Sequence, residues 1–363
     1  MLALLLAACI HAVPPDLVPD ERVEYQTGDG WRIGLRRYPA EGPPVVLVHG
    51  MAANHYNWDY TSRVSLVQYL RARGWDVWVT ELRGDPEAVP PNPQARAYSF
   101  DDHAILDVPA MLDTIRAQTG EDEVYWVGHS MGGMLLYTSL EQFPERIAAG
   151  VALNSPAALT ESNGVYGVGR AFHWAVPRVA VGVPWMARST LWMGRTNLFL
   201  ALLANPKNMD PQVANGLARE ALERIPAPMV GQAKRWLREG DLVRLDGTPW
   251  FAREERPPVP LLVFGGTMDV IVPPGNAEAA CGIFPACTYR ELGRAHGFGS
   301  DYGHVDSVVG TTAEAEVFPL VEGFLREARR TREAQAAAPV SEPVAEPAAG
   351  PVSDPAAVPV SEP

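Results

Sequence analysis

"VYWVGHSMGGMLL", residues 124–136, decides the reading of the fold. A short β-rich run enters a glycine-flanked serine, and an apolar run of helical spacing leaves it. Gly128, Ser130 and Gly132 form a Gly-x-Ser-x-Gly pattern, which between strand and helix is the context of a nucleophile elbow. Such a turn is strained and its helix packs close behind it, so small residues are needed on both sides. Gly128, Gly132 and Gly133 supply them. Five residues alone fit an ordinary tight turn equally well, and only the surrounding chain discriminates.

Strand-like and helix-like segments alternate around the serine. "RVEYQ" (22–26) and "WRIGLRRY" (31–38) flank "TGDG", a hairpin signature. "PPVVLVHG" (43–50), "WDVWVTELRG" (75–84), "EVYWVGHS" (123–130) and "IAAGVALNSP" (147–156) read as strands. Between them, "SLVQYLRARG" (65–74), "FDDHAILDVPAMLDTIRAQTG" (100–120) and "MGGMLLYTSLEQFP" (131–144) have helical spacing. Pro109 must bend the second of these or begin a new segment. This βαβαβαβ order predicts an α/β fold with a mostly parallel sheet and helices on both faces. The alternation stops between about 156 and 250, a stretch rich in Trp, Met, Gly and Pro with helical pieces such as "NLFLALLA" and "VANGLAREALERI". Strand logic resumes at "PVPLLVFGGTMD" (258–269) and "CTYREL" (287–292), before a closing helix "AEVFPLVEGFLREARR" (315–330). A helical insertion there sits over the C-terminal ends of the strands, where parallel sheets bind ligands, and is a candidate lid.

The chain has 363 residues, 47% of them hydrophobic, enough for one large α/β core or two modest ones. Its net charge of −13 offers no basic surface to hold a phosphate backbone, which excludes nucleic acid as a partner.

A serine nucleophile needs a base, and the base needs an orienting carboxylate, in the chain order Ser, acid, His for this architecture. Asp269 lies just past the strand "LLVFGG", where a loop side chain can reach the base; Asp241 and Asp246 lack a preceding apolar strand. Two histidines compete for the base, His296 in "GRAHGFGS" and His304 in "SDYGHVDSVVG", and periodicity does not choose between them. An oxyanion hole needs two backbone N–H groups. One is expected from Met131, after the nucleophile, and the other from Met51, after "VVLVHG", where Gly50 allows close approach.

At this point the sequence resembles the α/β-hydrolase superfamily and, within it, the acid lipase family of gastric and lysosomal lipases. "LVHGMAANHYNWD", the run "YSFDDHAILDVPAMLDTIRAQTGEDEVYWVGHS" with its Asp107-Val108-Pro109-Ala110 stretch, and "YGHVDSVVG" carry the likeness. It covers about 45–155 and 258–325 and leaves the insertion largely unmatched. Met131 stands where the family has glutamine after the serine, and Glu81-Leu82-Arg83-Gly84 also departs from its pattern. The resemblance assigns His304 as base. It implies an α/β-hydrolase fold with a helical cap and a serine hydrolase acting on carboxylic esters of apolar or lipid acyl chains, with no metal or organic cofactor. Trp174, Trp185, Trp192 and Phe199 of the insertion are candidates to line an acyl pocket. The same triad also suits acyl transfer to another acceptor, and a non-catalytic envelope binding module is the reading from a different class.

The termini carry separate signals. The apolar opening "MLALLLAAC" is shorter than the about 20 residues a spanning helix needs and reads as the h-region of a signal peptide. Leu6-Ala7-Ala8-Cys9 resembles a bacterial lipobox, although no Lys or Arg precedes the apolar run. That implies a lipidated Cys9 and a membrane-anchored protein of the cell envelope, or otherwise a secreted one. Cys281 and Cys287 are close enough to close a small loop, and export permits a disulfide between them. At the other end, prolines at 339, 343, 347, 351, 355, 359 and 363 forbid helix or ladder, so a disordered tail is expected. The expected divisions are 1–20 for signal and linker, 21–331 for the folded domain with its cap at about 156–250, and 332–363 for the tail.

Overall fold

A computed structural model describes residues 12–161, 180–190 and 198–337. Cys9, Trp174, Trp192 and the prolines of the tail lie outside these residues.

Eight strands form one sheet: β1 (Glu21–Gln26), β2 (Arg32–Tyr38), β3 (Pro44–Val48), β4 (Asp76–Thr80), β5 (Val124–His129), β6 (Ile147–Leu153), β7 (Leu261–Gly266) and β8 (Cys287–Leu292). Their spatial order is β1-β2-β4-β3-β5-β6-β7-β8. The first two strands form the expected hairpin, and β2 also runs antiparallel to β4. From β4 to β8 every pairing is parallel.

The central strands are apolar at consecutive positions because both faces are covered. Val46 and Val48 of β3 pack with Trp126 of β5 and Leu135 on one face, while Val45 and Leu47 pack with Val127, Phe318 and Leu325 on the other. Successive Cβ atoms point to opposite faces, so a single strand serves two cores.

Pro109 is accommodated without a break. Residues Phe100–Asp102 are helical, His103–Asp107 form a π-helical turn, and Val108–Thr119 continue as an α-helix. The wider turn, closed by the Val108 N–H donating to His103 O, absorbs the missing N–H of the proline. The helix ends at Gly120, whose φ of 78° closes it in the left-handed region.

Two expectations change. The final helix runs Phe318–Ala337, so residues 332–337 belong to it and not to a disordered tail. "REAQAAA" is made of strong helix formers, and the first helix-breaking residue is Pro339. Trp185 is 75% exposed, because it sits on the outer side of its short helix instead of lining a pocket. Cys281 and Cys287 form a disulfide with their Cα atoms 4.9 Å apart, tying a short helix to the start of β8.

Behind the end of β4, Arg83 is buried between two carboxylates. Its Nε and Nη2 donate to Asp107, at 2.9 and 2.6 Å, and its Nη1 donates to Asp29 at 2.9 Å. His103 Nδ1 also meets Asp107, at 2.8 Å. Removing one partner of a buried pair leaves the other charge uncompensated. Asp107→Ala should therefore cost about 3 kcal/mol or more, read as a lower urea midpoint at unchanged slope.

Candidate active site

The site grows from the turn between β5 and the helix Met131–Gln142. Ser130 has φ 54° and ψ −117°, a strained conformation for a residue with a side chain. Packing imposes it. A Cβ on Gly128 would lie 2.3 Å from Gly132 C, and one on Gly132 would lie 2.0 Å from Val48 O. Helix, strand and turn therefore meet backbone to backbone, and the Ser130 N–H donates to Leu153 O at 2.9 Å.

Asp269 and His304 come to this serine from two loops. Ser130 Oγ is 3.0 Å from His304 Nε2, and His304 Nδ1 is 2.8 Å from Asp269 Oδ2. His304 and Asp269 are both buried, at 6% and 4% exposure. Asp269 Oδ1 accepts the N–H groups of Ile271 and Val272, at 2.8 and 2.7 Å. Those bonds hold the carboxylate as a fixed acceptor for the Nδ1–H of His304, which leaves Nε2 bare toward the serine hydroxyl. His296 instead sits on the surface, 3.7 Å from Glu291, with its side chain 45% exposed.

Three further residues hold the arrangement, and the sequence alone assigns none of them a role. Asn154, with φ 52° at the end of β6, donates through Nδ2 to Asp269 Oδ2 at 2.8 Å and to Gly303 O at 3.1 Å. Its only mark is an asparagine at a strand end beside the strand that leads to Ser130. Next to the serine, His129 Nε2 donates to the backbone carbonyl of His304 at 2.9 Å. Burial, then the neighbouring His304, push the His129 imidazole down to about 3, so it stays neutral as a donor. Asp306 accepts from Gly303 N at 2.8 Å, from Asn205 N at 3.2 Å and from Asn208 Nδ2 at 3.0 Å.

Met51 and Met131 both line the cavity beside Ser130. Gly50 O accepts from His49 Nδ1 at 2.9 Å and from Ala53 N at 3.3 Å. In a trans peptide the C=O and the following N–H point in opposite directions, so anchoring Gly50 O fixes where the Met51 N–H points. His49 is held in turn through Nε2, 3.0 Å from Asp85 Oδ2. Burial keeps His49 neutral and drives the Asp85 carboxyl far upward, which makes Asp85 the donor in that bond. Beside it, burial and then Asp85 push Glu81 up to about 8. Protonation gives Glu81 Oε2, a buried oxygen with no donor facing it, a hydrogen to share with Asp85.

The serine opens into a cavity of about 590 Å³ with apolar walls, among them Met134, Leu159, Leu200, Leu217, Trp236 and Leu237. Helices Val183–Thr190, Leu198–Leu203, Pro211–Glu220 and Ala227–Glu239, all between β6 and β7, contribute to those walls.

This sheet, with its serine elbow after β5, is that of the α/β-hydrolase fold. The family model for that fold matches residues 43–301, and the chain belongs to the family. Among individual proteins, the chain is similar to human gastric triacylglycerol lipase, 32% identical over 154 residues, covering 37% of this chain and 39% of the lipase. It is also similar to human lysosomal acid lipase/cholesteryl ester hydrolase, 33% identical over 143 residues, covering 35% of this chain and 36% of that enzyme. The chain thus matches under two-fifths of the length of either relative. Among solved structures, an esterase from Thermogutta terrifontis superimposes with a TM-score of 0.51 at 20% identity, over 87% of this chain and 98% of that one. The enol-lactonase of Burkholderia xenovorans LB400 gives 0.57 at 18% identity, over 83% and 99%.

The buried carboxyls make stability depend on pH. The folded state raises the Glu81 pKa from its ordinary 4.5 to about 8, so it binds a proton that the unfolded chain gives up earlier. The stabilisation is complete below 4.5 and is lost as pH rises toward 8. The thermal midpoint should fall across that window, and Glu81→Gln, which keeps a donor in every pH, should flatten the slope when melting curves are compared.

Proposed function

We propose that the protein is a serine hydrolase of carboxylic esters with apolar acyl chains. The observation that carries this is the hydrogen-bonded series Ser130–His304–Asp269 set into an apolar cavity. Ser130 Oγ attacks the ester carbonyl and forms the acyl–oxygen bond as its proton passes to His304 Nε2. Asp269 stabilises the imidazolium and keeps Nδ1 protonated. The N–H groups of Met51 and Met131 receive the negative charge on the tetrahedral oxygen, and the tether from His49 to Gly50 O keeps the first of them in place. His304 then gives its proton to the departing alcohol. Water takes the alcohol's place, loses a proton to the same nitrogen and bonds to the acyl carbon; the acyl–Oγ bond then breaks, His304 returns the proton to Ser130 Oγ, and the acid leaves. The lipase relatives support an ester substrate, and the absence of charged side chains from most of the cavity wall supports an acyl chain as its content. We further propose, from the lipobox-like Leu6–Cys9, that Cys9 carries lipid and holds the protein at a membrane of the cell envelope.

A series of p-nitrophenyl esters from acetyl to palmitoyl tests the first proposal. The value of kcat/KM should climb by up to about fourfold per added methylene until the cavity is full. Ser130→Ala and His304→Ala should each lower it by about 10⁴-fold or more, while His296→Ala leaves it unchanged. Loss in His296→Ala with full activity in His304→Ala would reverse the assignment of the base. Product analysis with competing alcohols separates hydrolysis from acyl transfer. A folded protein that takes no fluorophosphonate label at Ser130 would leave the binding-module reading in its place.

A further inference from the structure

The first described residues form a strap that runs from the cap to the sheet. The Val13 N–H donates to Gln212 O at 3.2 Å, and Tyr60 Oη donates to Val13 O. Asp16 N donates to Tyr60 O at 3.1 Å, and the Asp16 carboxylate accepts the Ser62 N–H at 2.7 Å and its hydroxyl at 2.8 Å. Asp20 closes the run onto the sheet, its N–H donating to Arg37 O at 3.1 Å. Gly216, on the cap helix Pro211–Glu220, makes the contact possible. A Cβ there would stand 1.9 Å from Tyr60 Oη and 2.7 Å from Val13 O. The same helix supplies Ala214, Leu217 and Ala218 to the cavity wall, so the strap is fastened to the outside of the substrate cavity.

Cys9 precedes Val13 by four residues, a span of at most about 14 Å when fully extended. A lipid on Cys9 is therefore confined to the neighbourhood of the cap for as long as the strap stays fastened. The neighbouring helices are built to match. Helix Val183–Thr190 lies against Pro211–Glu220, with Arg188 donating to Arg219 O. Its Val183 lines the cavity, while Trp185 and Met186 face outward at 75% and 45% exposure. On helix Leu198–Leu203, Leu200 and Leu203 line the cavity and Leu202 is 37% exposed. Single exposed apolar side chains are ordinary, but these three sit on two helices whose other sides wall one cavity. Tryptophan also suits the boundary between water and hydrocarbon. Among the described residues no helix is long and apolar enough to cross a membrane.

We propose that the cap surface bearing Trp185, Met186 and Leu202 rests on the bilayer that holds the Cys9 lipid, and that the cavity takes its ester substrate from that same bilayer. The proposal rests on the hydrolase reading and on lipidation of Cys9. The bilayer is favoured over a protein partner by the chain length alone, since a strap fastened at Val13 brings the cap to within reach of the headgroups.

The test uses the full-length lipidated protein in vesicles of phosphatidylcholine and phosphatidylglycerol. With Cys9 acylated and Cys281 bonded to Cys287, a cysteine introduced by Met186→Cys or Asp122→Cys is available for a bimane label. Asp122 lies in the turn before β5, at the opposite end of that strand from Ser130. Nitroxide-bearing lipid should quench the label at 186 several-fold more than the label at 122; equal quenching, or the reverse order, overturns the proposal. The double variant Trp185→Ser/Met186→Ser should hydrolyse a long-chain ester in its own vesicle at least tenfold more slowly and p-nitrophenyl butyrate in solution at the wild-type rate. No selective loss on the vesicle substrate also overturns it. The underlying readings fail differently: the hydrolase reading by no fluorophosphonate labelling of Ser130, and the lipid reading by a Cys9→Ser protein that binds vesicles as wild type does. The latter result removes the anchor and the docking proposal with it.

Discussion

The structure depends on one tight place, where the chain turns from β5 into its helix with no side chain between Gly128, Gly132 and the carbonyl of Val48. Three backbones occupy space that a single methyl group would fill. Because helix and sheet cannot separate there, the turn between them is forced into a conformation that a serine does not choose. The strain is carried by the two cores on either side of the sheet, and it leaves the Ser130 hydroxyl pointing out of the turn toward His304. The neighbouring strands then supply the rest. Leu153 of β6 holds the serine's backbone, the loop after β3 lies against its Cβ through Gly50, and the loop after β7 brings Asp269.

Much of this arrangement was legible in the chain because it follows from period and order. A strand buried on both faces is apolar without interruption, and the segments at Val45, Val77, Val124 and Leu261 are of that kind. The position of Asp269 just past such a strand, and the order of serine, acid and histidine, are also properties of sequence. The choice between His296 and His304 was not, since both lie in loops of similar composition. What separates them in space is a set of bonds between distant residues, from Asn154 to Gly303 and from Asp306 to the segment Asn205–Asn208. Long-range hydrogen bonds leave no periodicity. For the same reason Asn154 and His129 looked like any strand-end residues. Trp185 misled in the opposite way: apolar character predicts burial, and this helix places it outward.

The departure at Glu81-Leu82-Arg83-Gly84 also has a physical account. Two acidic side chains, Glu81 and Asp85, are enclosed next to a neutral histidine, and together they can hold only what charge Arg36 and the neighbouring groups offset. Arg36 donates through Nε to Glu81 Oε1 at 3.1 Å. Retained protons settle the remainder. The result is a chain of neutral donors and acceptors that ends at the carbonyl of Gly50, so a change just past the C-terminal end of β4 is felt in the loop that lies against Ser130.

Asp306 has a consequence of another kind. One carboxylate, pushed up to about 6 by burial, joins the loop of His304 to the segment Asn205–Asn208 at the base of the cap. The cap is therefore not a door hung on the domain with the machinery fixed behind it. Where it joins the sheet it shares a fastening with the loop of His304, so the roof of the cavity and the position of that imidazole form a single mechanical part.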